Sequence, residues 1–178
     1  FFFFFFFFFF FFFFFFFFTM KRIAIVGAVG AGKTTLFNAL QGNYSLARKT
    51  QALEFNDRGD IDTPGEYFSH PRWYHALITT LQDVDTLIYV HAANDTESRL
   101  PPGLLDIGSR KHLIVAISKT DLPDANVAAV RQLLDGMGFQ APVFALNGCD
   151  PQSVAPLENY LSELSQKEEG PGEETHYR

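Results

Sequence analysis

Short apolar runs alternate with segments of helical period along most of this chain. RIAIVG (22–27), QALEF (51–55), DTLIYV (85–90), HLIVAIS (112–118) and PVFAL (142–146) are the strand candidates. Several are apolar without alternation, as expected for strands covered on both faces. Helical stretches follow most of them. Residues 33–40 end before Gly42, and 72–82 carry Trp73, Leu77 and Leu81. Residues 124–137 open with an Asp124 cap, carry Val127, Val130, Leu134 and Met137, and close at Gly138. Residues 154–164 place Val154, Leu157, Leu161 and Leu164 on one stripe. Such stripes are the core-facing sides of helices. The alternation predicts an α/β fold, a mostly parallel sheet flanked by crossover helices.

The punctuation between these runs sets the organisation. Residues 92–111 form a polar, Pro- and Gly-bearing connection with at most a short helix. From Gln166 onward the chain is charged and Gly/Pro-bearing, and 166–178 are read as a flexible acidic tail. At the other end, 18 of the 23 phenylalanines form residues 1–18. That tract has the length of a membrane span but neither the basic start nor the cleavage site of a signal peptide. Residues 1–19 are read as an appended segment, which leaves one domain over 20–165. Net charge is −6 with the basic residues scattered, so a nucleic-acid partner is not expected. Nothing after Met20 is apolar enough for a membrane partner. The single cysteine, Cys149, cannot form an internal disulfide, which fits a cytoplasmic protein.

The chemistry begins at GAVGAGKT (27–34), which matches G-x-x-x-x-G-K-[ST] at every fixed position, after an apolar strand and at the opening of a helix. Gly27, Gly30, Ala31, Gly32 and Thr35 supply backbone around phosphates, with N–H groups turned to anionic oxygens. Lys33 reaches the β- and γ-phosphates, and the Thr34 hydroxyl is a Mg²⁺ ligand. The second element is DTPG (62–65). Its Asp62 is placed to hold Mg²⁺, and the Gly65 N–H to sense the γ-phosphate. Between the two, Thr50 is the candidate to close over Mg²⁺ and the γ-phosphate, with Ser45 second. Arg48 is a cation within reach of the same oxygens.

The third element is SKTD (118–121), where a guanine-reading N-K-x-D has Asn in place of Ser118. Asp121 can accept two hydrogen bonds from guanine, and the Lys119 stem can cover the base. Ala145, in PVFALNG (142–148), fits a loop whose backbone N–H meets the base oxygen. Ser118 is too short to replace all that an Asn amide does. The cofactors expected are therefore Mg²⁺ and a purine nucleotide, ATP or GTP. His70, His75, His91 and His112 show no metal-ligand spacing with one another or with Cys149.

In this order, GAVGAGKT, DTPG and SKTD resemble the translation-factor-related (TRAFAC) P-loop NTPases of small G-protein type. The run from Met20 through HAAND is similar to the EutP/PduV family of ethanolamine utilisation. That resemblance implies a role in ethanolamine catabolism beside a bacterial microcompartment, with a pathway or shell protein as partner. It also implies an acetate kinase activity that interconverts acetate and ATP with acetyl phosphate and ADP. Against working G proteins the chain departs at three places. Glu66 stands where Ras-like proteins have a water-orienting Gln, so it is either turned away from the phosphates or a general base. Val29 stands where such proteins need Gly to admit an arginine finger. The strand before DTPG must be very short, because only FNDRGDID (55–62) is available. Three tasks stay open: a GTP-dependent switch, a kinase acting on a small carboxylate, and a docking protein with negligible turnover.

Overall fold

A computed structural model describes residues 22–44, 54–55, 61–63, 71–82, 84–100, 104 and 111–167, with side chains omitted at 54–55, 61 and 71–75. In chain order the elements are β1 (Ile23–Val26), α1 (Lys33–Ala39), β2 (Glu54–Phe55), β3 (Ile61–Asp62), α2 (Pro71–Leu81), β4 (Thr86–Ala92), β5 (His112–Ser118), α3 (Val127–Gly136), β6 (Val143–Ala145) and α4 (Pro151–Lys167). The strands form one sheet in the order β2-β3-β1-β4-β5-β6. All neighbours are parallel except β2 and β3, which run antiparallel. This is the α/β architecture predicted from the alternation, with its sharpest departure from regularity at β3. β3 is two residues long, Ile61 and Asp62, and its second residue is already the Asp of DTPG.

Apolar strands without alternation bury both faces, and the packing shows it. Every residue of β4 is buried. On one face Ala24, Val26, Leu87, Tyr89, Val115 and Ile117 pack with Leu77 and Leu81 of α2 and Val130 and Leu134 of α3. On the other, Ile25, Ile88, Val90, Ile114 and Ala116 pack with Leu36 and Phe37 of α1 and Val154 and Leu157 of α4. Neighbours in sequence go to opposite faces, as strand geometry requires.

Several boundaries differ from the sequence reading by a few residues. α3 is capped not by Asp124 but by Asn126, whose side chain accepts from the Ala129 N–H at 3.0 Å. Asp124 instead accepts from Asn94 Nδ2 at 3.1 Å. Either residue type caps well, so the pattern alone could not choose between positions two apart. α4 begins at Pro151, a residue suited to the first helical turn, and runs to Lys167 through Pro156. It thus enters the stretch read as tail, while 168–178 lie outside the described residues. Of the strand expected over 51–55, only 54–55 are described.

One glycine fixes where the sheet hands over to the loop after β1. Gly27 has φ +154°, and a Cβ there would sit 2.2 Å from the Val90 carbonyl oxygen on β4. The neighbour is backbone in the sheet's centre and cannot yield. Gly27→Ala is expected to destabilise the fold by about 3 kcal/mol, the upper end for overpacking. Urea unfolding checks this, with Gly136→Ala as comparison, because that position is open and its φ is not positive.

Candidate phosphate and nucleotide site

Ligands of open parallel sheets bind beyond the carboxyl ends of the strands. Here that edge gathers the motif residues: the loop after β1, Asp62 ending β3, Ser118 ending β5, and Ala145 ending β6. Gly30 and Gly32 take φ +76° and +91°, which turns the loop tightly enough to start α1 directly after it. Gly32 is the N-cap of α1 in the left-handed conformation, with no side-chain cap. The N–H groups of such a loop form a concave nest for anionic oxygens.

Lys33 is 6% exposed and lies along this loop, its Nζ donating to the Ala28 carbonyl at 2.9 Å. The Thr34 hydroxyl donates to Asp62 Oδ2 at 2.5 Å, joining residues 28 apart in sequence. Asp62 is 0% exposed. A buried carboxylate costs several kcal/mol unless a donor or cation compensates it. Thr63 anchors the same strand end, donating through Oγ1 to the Ile25 carbonyl at 2.8 Å. The hydroxyl and carboxylate oxygens of Thr34 and Asp62 fit Mg²⁺, which prefers a few hard oxygen ligands and completes its shell with water and phosphate. Among the described residues no group of three or more His, Cys, Asp or Glu could hold a metal.

Ser118 behaves differently from what a base-reading position suggests. It is 3% exposed, and its hydroxyl donates to the Ala31 carbonyl at 2.5 Å and lies 3.4 Å from the His91 carbonyl. The side chain therefore ties β5 to the phosphate loop. Gly32 leaves room for it, since a Cβ there would stand 3.3 Å from the Ser118 Oγ. Lys119 follows with φ +59°, a conformation that costs a non-glycine residue about 1 kcal/mol or more. Asp121 and Ala145 are exposed. Their loops are joined where the Thr120 N–H meets the Leu146 carbonyl at 3.5 Å. Gly148 brings the second loop onto α1, because a Cβ would lie 3.1 Å from the Thr35 methyl. Thr50, Gly65 and Glu66 lie outside the described residues, as do Ser45, Arg48 and His70.

A further set of residues at this edge has no motif to announce it. The Tyr89 hydroxyl lies 2.9 Å from His91 Nδ1, and His91 Nε2 lies 2.7 Å from the Asp95 carbonyl. A carbonyl only accepts, so Nε2 carries the proton and Nδ1 accepts from Tyr89. Burial, then the nearby Asp95 charge, pushes the Tyr89 hydroxyl well above its ordinary pKa, so it stays a donor. Phe139 stacks on the Tyr89 ring with centroids 5.2 Å apart. Asp95 in turn accepts from Arg99 Nε at 3.0 Å. Burial opposes the charge on Asp95. The Glu97 N–H and the Arg99 guanidinium outweigh it and hold this carboxyl below its usual range. The one sequence cue was the i, i+2 spacing of Tyr89 and His91, which puts both on one face of β4.

Replacing Ser118 by Ala leaves the Ala31 carbonyl without this donor. The expected outcome is a loss of about 1–3 kcal/mol in stability together with weaker nucleotide binding, read by denaturation and calorimetry on the same sample. Unchanged stability and affinity would show the tie to be incidental.

Comparison with known proteins places this geometry. The chain is 77% identical over 158 residues to a Salmonella typhimurium protein named "Probable acetate kinase EutP", covering 89% of this chain and 99% of the relative. Its counterpart of the same name in Escherichia coli (strain K12) is 73% identical over the same span. Among solved structures, the Arl6 BBS3 small GTPase of Trypanosoma brucei, bound to the nucleotide analogue GppNp, superposes with a TM-score of 0.60 at 18% identity. It covers 83% of this chain and 98% of its own. That likeness shows a small G-protein fold of the P-loop class. The family model described as "Ethanolamine utilisation - propanediol utilisation" matches residues 20–163, and the chain belongs to this PduV-EutP family.

Proposed function

We propose that this chain binds a purine nucleoside triphosphate with Mg²⁺ and transfers its γ-phosphoryl group to a small carboxylate, acetate being the acceptor that its relatives' name suggests. The observation that carries the reading is the Thr34–Asp62 pair, two oxygen ligands 2.5 Å apart that join the first turn of α1 to the end of β3, next to Lys33 and the glycine-turned loop. Phosphoryl transfer asks mainly for positioning and charge neutralisation, and these groups supply both. Bound Mg²⁺ would withdraw charge from the phosphate oxygens, with Thr34 and Asp62 holding it. The Lys33 ammonium would leave the Ala28 carbonyl for the β- and γ-phosphates. Gly27, Gly30, Ala31, Gly32 and Thr35 would line the phosphates through their backbone.

In the transfer, a carboxylate oxygen of the acceptor forms a bond to the γ-phosphorus. The bond from that phosphorus to the β,γ-bridging oxygen breaks, and its electron pair leaves with the nucleoside diphosphate. The products are the acyl phosphate and the diphosphate. No proton moves, because a carboxylic acid of pKa about 4 is already ionised near neutrality. A carboxylate acceptor thus removes the need for a general base. Glu66 would then have no proton to take, which accords with Glu in place of a water-orienting Gln. Thr50 and Gly65 are assigned to closure over the γ-phosphate on their motif positions alone.

A second reading, a GTP-dependent switch, is favoured by the exposed Asp121 and Ala145 on two joined loops at the same edge. The tie of Ser118 to the phosphate loop weighs against it, since that side chain is spent before it reaches a base. Calorimetric titration of ATP and GTP, with Mg²⁺ or with EDTA and with or without acetate, separates the two. Kinase action is expected to show ATP binding strengthened by Mg²⁺ and coupled to acetate. Tight GTP or GDP binding indifferent to acetate would favour the switch. Lys33→Ala is expected to weaken nucleotide binding by about 100-fold or more while the fold stays intact, in line with loss of a charge-assisted phosphate contact. In Asp62→Asn the affinity difference between Mg²⁺ and EDTA should disappear. Retained Mg²⁺ dependence there would remove Asp62 from the metal site.

A further inference from the structure

Beside the phosphate loop lies a cavity of about 350 Å³ walled by residues 28–31 on one side and by the end of β4 and the turn after it on the other. Its lining divides by chemistry. Val29, Ala31 and Ala92 give an apolar wall, while Asn94, Arg99 and Lys119 bring an amide and two cations, with His91 and the Arg99-paired Asp95 beside them. Val29 is 46% exposed, the one large exposed hydrophobic side chain among the described residues. An anion alone gains nothing from such a wall. A short anion with an apolar end gains from both sides.

The cation on this wall is tied to a network whose inner members, Tyr89 and His91, are buried, while Asp95 and Arg99 are partly exposed. Tyr89 sets the His91 tautomer, His91 Nε2–H holds the Asp95 carbonyl at 2.7 Å, and Asp95 Oδ2 accepts from Arg99 Nε at 3.0 Å. Asp95 N–H also returns to the Ala92 carbonyl at 3.0 Å, closing the turn that carries Arg99. The Arg99 Nη2 reaches Glu97 at 2.8 Å, but the Glu97 side chain is 72% exposed and solvated. Pairs of that kind are weak and easily exchanged. A guanidinium carries five N–H donors, so it can keep Asp95 through Nε and still take a second carboxylate on its fork.

We propose that this cavity binds the short-chain carboxylate acceptor, with the carboxylate on Arg99 and the alkyl end against Val29 and Ala92. This rests on the reading that the γ-phosphoryl acceptor is a carboxylate, and it names where that acceptor sits. It also gives Val29 a task. The side chain that blocks an arginine finger from a partner forms the floor for an alkyl group, and Arg99 supplies a cation from within the same chain. Arg99 is then a substrate-binding residue, and Tyr89, His91 and Asp95 are positioning residues behind it.

The test uses the full chain with Arg99→Ala and Arg99→Lys. Steady-state turnover of ATP against acetate gives the acceptor KM, calorimetry gives the nucleotide Kd, and ¹³C-labelled acetate followed by NMR reports binding directly. Arg99→Ala is expected to raise the acetate KM at least tenfold and to abolish the ¹³C-acetate response, with the nucleotide Kd within twofold of wild type. Arg99→Lys, which keeps the charge but loses the fork, is expected between the two. Acetate-dependent turnover with an unchanged KM in Arg99→Ala would overturn this location while leaving the kinase reading standing. A nucleotide Kd that shifts together with the acetate KM would assign the cavity to the nucleotide and overturn the proposal. Arg99-dependent ¹³C-acetate binding without any transfer would keep the site and sink the kinase reading. No acetate binding and no acetate-dependent turnover by wild type would overturn both.

Discussion

The site depends on the distance between two backbones. Gly27 passes so close to the Val90 carbonyl that no side chain fits between them, and this fixes the point at which β1 gives way to the phosphate loop. From there polar bonds hold the loop, beside the apolar contacts of Ala28 and Ala31. Thr63 donates to the carbonyl of Ile25, Ser118 donates to that of Ala31, and Lys33 folds back on that of Ala28. The Ser118 hydroxyl satisfies a carbonyl of the irregular loop, and the Thr63 hydroxyl one near the end of β1, in keeping with the rule that buried backbone groups are paired. The phosphate loop is thus pre-shaped, and binding need not expend energy to order it.

The same arrangement explains how a G-protein fold can lose its third motif without losing its architecture. Ser118 is buried at the end of β5, which lies between β4 and β6, and its hydroxyl bonds the loop. A short side chain suffices for that structural bond. What it cannot do is extend past the loop toward a base. On the proposed reading, base recognition would fall to Lys119, Asp121 and the 145–148 loop, of which Asp121 and Ala145 are exposed.

The fold was legible because both-face burial writes itself as uninterrupted apolar strands, and β5 was read to the residue. The turn of the loop after β1 was legible for a related reason, since glycine adopts positive φ values such as those of Gly30 and Gly32 far more readily than other residues. The α3 cap was misread because Asp124 and Asn126 are chemically equivalent as caps and only tertiary contacts choose between them. The Tyr89–His91–Asp95–Arg99 network was not legible. Its members look like ordinary strand and turn residues, and the bond from His91 ends on a backbone carbonyl, which carries no sequence identity.

The central claim is that phosphoryl transfer to a carboxylate occurs at this loop. The measurement that bears on it most directly is ³¹P NMR of the chain incubated with ATP, Mg²⁺ and acetate. An acyl phosphate resonance growing in step with ADP, and absent when acetate is withheld, is the result expected. Inorganic phosphate released at a rate indifferent to acetate, with no acyl phosphate formed, would contradict it.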